Sequence, residues 1–86
     1  MDKVIDVDFR VIWQAPVFIR TGTCVRERID GPDAALQALA NRWPASGTEF
    51  YAEAQVKCLH ALARHGSVEA ARSRFVNAAV AAGIIA

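Results

Sequence analysis

The sequence predicts an α+β fold: a β-hairpin packed against three α-helices, with residues 4–13 able to extend the hairpin to a three-stranded antiparallel sheet. Three observations carry this. Apolar and polar residues alternate near the start of the chain. Thr21-Gly22-Thr23 separates two β-rich runs. Three alanine-rich segments of helical period follow, each bounded by capping and stop residues. Residues 1–12 are expected to form an N-terminal strand or arm, and residues 13–86 a single hairpin-plus-three-helix domain.

Ile5, Val7, Phe9, Val11 and Trp13 share one parity, while Asp6, Asp8, Arg10 and Gln14 fall mostly on the other. That period of two is the mark of a half-buried strand. Pro16 interrupts it. A three-residue loop at residues 21–23 then puts Val17, Ile19, Val25 and Ile29 on one face of the hairpin, with Glu27 as the exception. Phe18, Arg20, Cys24, Arg26 and Arg28 occupy the other face.

The first helix begins near Pro32, with Asp30 or Gly31 as cap and Asp33 at the positive end of the dipole. Leu36, Leu39, Ala40 and Trp43 are its expected buried stripe. Pro44 stops it by excluding Trp43 from the α conformation. Ser46 and Glu49 have the spacing of a capping box, and Gly47 allows a tight corner. The second helix is expected over residues 48–65, ended by Gly66. Its apolar arc is wide: Phe50, Tyr51, Ala54, Cys58, Leu59, Ala61, Leu62 and Ala63. An arc of that width predicts contacts on more than one side, so this helix is read as the central one. Glu53 and Lys57 make a favourable spaced pair. Ser67 caps the third helix, whose inner face is Val68, Ala71, Phe75, Ala78, Ala79 and Ala82. Gly83 ends it, and Ile84 and Ile85 are expected to fold back as a hydrophobic lid.

A net charge of +1 gives no bulk attraction to nucleic acid or anionic lipid. The longest apolar run, AAVAAGIIA, is too short to span a bilayer, and the acidic, alternating start does not read as a signal peptide. A cytoplasmic protein with Cys24 and Cys58 as free thiols is expected.

Three stretches together carry a family resemblance: WQAPV at residues 13–17, WPASGTEFYAEAQVKCLHAL at 43–62 and ARSRFVNAAVAAG at 71–83. Trp-Pro, the tyrosine and cysteine two turns apart, and Ala-Arg before Phe are the specific elements. With them the chain resembles a small alphaproteobacterial family catalogued as domain of unknown function 982, from about Trp13 to the C-terminus. The resemblance implies a compact hairpin-plus-helices domain and no activity.

No catalytic, cofactor or metal site is expected. Cys58 and His60 point about 200° apart on a helix, and Cys58 and His65 lie about 10 Å apart along its axis, too far for shared zinc bonds. Cys58 in an apolar arc has its thiolate disfavoured, and no Gly-x-Ser-x-Gly, phosphate-loop or dinucleotide pattern occurs. Two groups remain. Phe18, Arg20, Arg26 and Arg28 are the candidate interaction residues, able to stack a base and hold phosphates. Trp43, Tyr51 and Arg72 form a candidate structural clamp on the corner at residues 43–47, because a tyrosine hydroxyl in an apolar arc and an arginine at a buried edge both need acceptors.

The biological function is unknown from these residues. The best reading is a small non-enzymatic interaction module that self-associates as a homodimer, with residues 4–13 or the hairpin edge contributing and an unidentified protein as a further partner. Nucleic acid is not the expected partner, nor is a membrane. The alternatives are a nucleic-acid-binding module using the arginine face and a ligand-binding domain near Tyr51 and Arg72.

Overall fold

The computed structural model describes residues 12–20, 26–41, 43–44, 48–63 and 66–86. Strand β1 (Val17–Ile19) pairs antiparallel with β2 (Glu27–Ile29). Three helices follow: α1 (Pro32–Asn41), α2 (Glu49–Leu62) and α3 (Val68–Ala82). Val17 faces Ile29, Phe18 faces Arg28 and Ile19 faces Glu27. The two faces are those the hydrophobic pattern selects. The register, however, is two residues away from the one a loop at residues 21–23 would set, which would place Ile19 opposite Val25. Aligning Val17 with Ile29 sets two buried, branched side chains directly across from each other, and such cross-strand packing outweighs the shorter turn. The turn itself, residues 21–25, lies outside the described residues.

Among the described residues the sheet has two strands. The expected third strand at residues 4–13 lies outside the described residues up to residue 11, and Ile12 and Trp13 are not in a strand. The free edge of β1 is instead met by the C-terminal tail. Arg20 N–H donates to the Ile84 carbonyl at 2.8 Å and Ala86 N–H to the Phe18 carbonyl at 2.9 Å. Ile19 and Ile85 form an antiparallel bridge between them.

Gly83 makes this return possible. Its φ of 72° is left-handed, a conformation costly for any residue with a Cβ. Its N–H donates to the Val80 carbonyl and that of Ile84 to the Ala79 carbonyl, both at 3.0 Å, which closes the helix end with a Schellman pair. Half of the expected lid forms: Ile84 is buried, whereas Ile85 stays exposed and is held by its backbone.

The helix starts follow from their caps. Ser67 accepts from Ala70 N–H at 3.1 Å. At α2 the cap is Thr48, accepting from Tyr51 N–H at 3.2 Å, in place of the expected Ser46. Thr48 stands immediately before Glu49 and so reaches the third helical N–H, the geometry of an N-cap. The helix also ends sooner than expected, at Leu62. A Cβ on Gly66 would sit 3.1 Å from that of His60, so glycine lets the chain pass close against α2 as it turns toward α3.

The helices meet through small side chains. The buried residues of α2 are Ala54, Cys58 and Ala61; those of α3 are Ala71, Phe75, Ala78 and Ala79. On α1 they are Pro32, Ala35, Ala38 and Leu39. Leu36 sits at the margin of the core and Ala40 is exposed. The expected α1 stripe is therefore rotated toward Ala35 and Ala38. Small contact residues let helix axes approach closely, and close approach here decides which face turns inward. Among the described residues, α2 packs against both α1 and α3, and α3 in addition reaches β1.

Large volume comes from few residues. Phe75 is fully buried and lies between two indoles, with ring centroids 5.7 Å from Trp13 and 5.3 Å from Trp43. Ile19, Ile29 and Leu39 complete the core.

Candidate functional site

The hairpin's outer face carries the residues marked for interaction. The pairing of Phe18 with Arg28 sets these two across from each other, and the strand period adds Arg20 and Arg26 to the same side. All three arginines are exposed and Phe18 is half-buried. The Arg26 guanidinium lies over the Phe18 ring, 4.4 Å from its centroid, a cation–π contact. Arg28 Nε stands 4.0 Å from Asp30 Oδ2. The face is therefore basic, but one guanidinium covers its aromatic ring and another leans on a carboxylate.

Trp43, Tyr51 and Arg72 do not converge on one corner. Tyr51 OH donates to the Leu39 carbonyl at 2.8 Å, tying the start of α2 to the last turn of α1, where carbonyls lack helical partners. Arg72 Nε donates to the Ala15 carbonyl at 2.8 Å and its Nη2 to that of Pro16 at 3.4 Å. It thus holds the entry to β1, and not the corner at residues 43–47 that the sequence suggested. Pro16 explains the choice: it lacks an N–H and breaks regular pairing, so the carbonyls beside it need another donor. Trp43 is half-buried against Phe75. Among residues 43–47, only Trp43 and Pro44 are described.

A surface that the sequence reading missed lies on α2. The expected apolar arc does not all turn inward, and Ala52 and Val56, outside that arc, join its exposed members. Ala54, Cys58 and Ala61 point inward and are buried. Ala52, Val56, Leu59 and Ala63 are exposed, with Val56 at 46% and Leu59 at 55%. At about 100° per residue these four fall together on the side opposite the core. Phe50 is exposed as well, at the rim of an open groove shared with Asn77, Val80 and Ala81 of α3. Ala52, Val56, Leu59 and Ala63 are spaced by four, three and four residues, but the spacing alone does not say whether that face turns inward or outward. The apolar arc expected from the sequence takes in Leu59 and Ala63 but leaves out Ala52 and Val56, so the stripe is not recognised there as one face. Glu53 and His60 border this stripe, and Glu53 Oε1 reaches Arg74 Nε at 3.6 Å, toward α3.

The residues that shape this domain, from Pro16 to the Ile84–Ala86 return, coincide with the span of one family profile, described as "Protein of unknown function (DUF982)", which matches residues 15–86. The chain belongs to that family. Trp13, one of the two indoles on Phe75, lies just outside the matched span. No curated protein and no solved structure matches the chain.

Within this family domain Cys58 is buried and free. Burial pushes its thiol up from an ordinary 9.0 to about 12, because the thiolate would lose its hydration. Among the described residues, no three of His, Cys, Asp and Glu gather in a metal-binding group. No described helix is long and apolar enough to cross a membrane. In a Cys24→Ser variant, a thiol reagent at pH 8 is expected to label the folded protein far more slowly than the unfolded one. The folded pKa is the raised one, so the contribution of Cys58 to stability is intact below about pH 9 and declines as pH climbs toward 12. Rapid labelling of the folded protein at pH 8 would contradict this.

Proposed function

We propose that this protein is a small non-enzymatic interaction module that pairs with a second copy of itself. The observation that carries the reading is the exposed stripe Ala52, Val56, Leu59 and Ala63 on the outer side of α2. A run of apolar residues at seam spacing, turned away from its own core, is the pattern by which one helix packs on another. Two further points support a binding role over a catalytic one. The Tyr51 hydroxyl and the Arg72 guanidinium are engaged with backbone carbonyls of different segments. Cys58 is held in its unreactive thiol form. The hairpin edge is less suited to pairing than the sequence suggested, because the tail at residues 84–86 occupies the outer side of β1. A cytoplasmic setting suits a chain that keeps Cys58 as a thiol.

One fourteen-residue helix per copy is a small interface, so association in the micromolar range is expected. Light scattering should show a mass that rises toward the dimer over about 10–200 μM. Val56→Ser with Leu59→Ser should return the protein to monomer without loss of helical circular dichroism, since both side chains are exposed. A monomer across that range, or a dimer unaffected by the two substitutions, would reject the α2 surface.

The hairpin face supports a second reading, a binder of single-stranded nucleic acid, because Arg20, Arg26 and Arg28 share an exposed side with Phe18. It ranks second because Arg26 already covers the ring that a base would stack on, and the net charge is only +1. Fluorescence anisotropy with a labelled oligonucleotide near physiological salt is expected to show no sub-micromolar binding. Tight binding that weakens steeply with salt, and is lost when all three arginines become alanine, would reverse the ranking.

A further inference from the structure

We infer that the two copies join through α2 in antiparallel fashion, about a twofold axis that passes between the paired helices at the level midway between Lys57 and Cys58. This rests on the self-association proposed above and specifies its geometry. The stripe is symmetric about that point. Val56 and Leu59 are equidistant from it, as are Ala52 and Ala63. Turning one copy over therefore sets Val56 against Leu59 of the second copy twice, and Ala52 against Ala63 twice. The two larger side chains fill the centre, and alanines at both ends allow close approach of the axes. One surface used twice closes the assembly at two chains.

Helix dipoles and a polar pair on the flank favour the same direction. Glu49 lies in the first turn of α2 and His60 in the last. Along the flank of the stripe that faces α3, Glu53 belongs to the N-terminal half and His60 to the C-terminal half. Antiparallel pairing brings Glu53 of one copy to within about 3 Å, measured along the axis, of the level of His60 of the other. Both residues are exposed, and the Oε1 of Glu53 stands 3.6 Å from Arg74 Nε. Parallel pairing would instead lay the two helix dipoles side by side in the same direction, which is unfavourable.

Cysteine cross-linking separates the two arrangements. In the Cys24→Ser background, Ala52→Cys and Ala63→Cys place single thiols at exposed positions, while the native Cys58 is buried. In the antiparallel pair, two copies of A52C hold their thiols about 16 Å apart along the axis, beyond the reach of a disulfide. The expected result is little cross-link from A52C alone or from A63C alone, and a prominent disulfide dimer from their equimolar mixture under mild oxidation. Single variants that cross-link on their own would overturn the antiparallel geometry while leaving self-association standing. A dimer by light scattering that yields no disulfide in any arm would move the interface away from this stripe. A monomer by light scattering would remove both the inference and the reading beneath it.

Discussion

The contact on which the rest of the structure depends is Phe75 between two tryptophans. Trp13 stands at the approach to the hairpin, Trp43 just beyond α1 and Phe75 in the middle of α3. Three separate parts of a short chain are therefore joined at one ring. A chain of this size buries a modest fraction of its surface, so it cannot spread its cohesion over many large side chains. Aromatic rings bury the most area per residue, and tilted pairs add a small geometric gain. With that volume concentrated at one point, the remaining helix contacts can be made by alanine and a small thiol.

That economy has a consequence for the surface. Helices that meet through Ala54, Cys58, Ala61, Ala71, Ala78 and Ala79 leave their larger apolar residues elsewhere. On α2 these are Val56 and Leu59, which face away from the core. The same alanine-rich composition that permits a tight three-helix body thus creates the surface offered for pairing. The polar anchors act in the opposite sense. Tyr51 and Arg72 spend their hydrogen-bonding capacity on carbonyls at Leu39, Ala15 and Pro16, which steadies segment ends where the regular backbone pattern stops.

Much of this was legible in the residues. Pro32, Ser67 and Gly83 marked their helix boundaries because caps and left-handed residues act locally, through one or two hydrogen bonds. The inner face of α3 was also legible, since Phe75 is its one large side chain among alanines. Faces made of similar residues were not. On α1, Leu36 and Leu39 suggested one rotation and the close fit of Ala35 and Ala38 imposed another. On α2 nothing local distinguishes Ala54 from Ala52. Which alanine faces inward is decided by neighbouring elements, and periodicity alone does not contain them. The target of Arg72 was hidden for the same reason: it depends on where Pro16 comes to lie, fifty-six residues earlier in the chain. That the tail folds back was anticipated at Gly83, whereas its destination at β1 and its backbone pairing with Ile19 required the sheet to be in place.

The central claim is that one buried ring holds the domain together. Urea unfolding of Phe75→Ala beside Phe75→Leu, followed by tryptophan fluorescence and circular dichroism, tests it most directly. Removing the ring should cost about 3–5 kcal/mol, a large share of the stability of a small domain. F75A should therefore be unfolded or nearly so in buffer, with both indoles exposed, while F75L keeps most of the buried volume and stays folded at a lower midpoint. An F75A protein that unfolds cooperatively at the same midpoint as the parent, with its tryptophan emission unchanged, would contradict the account.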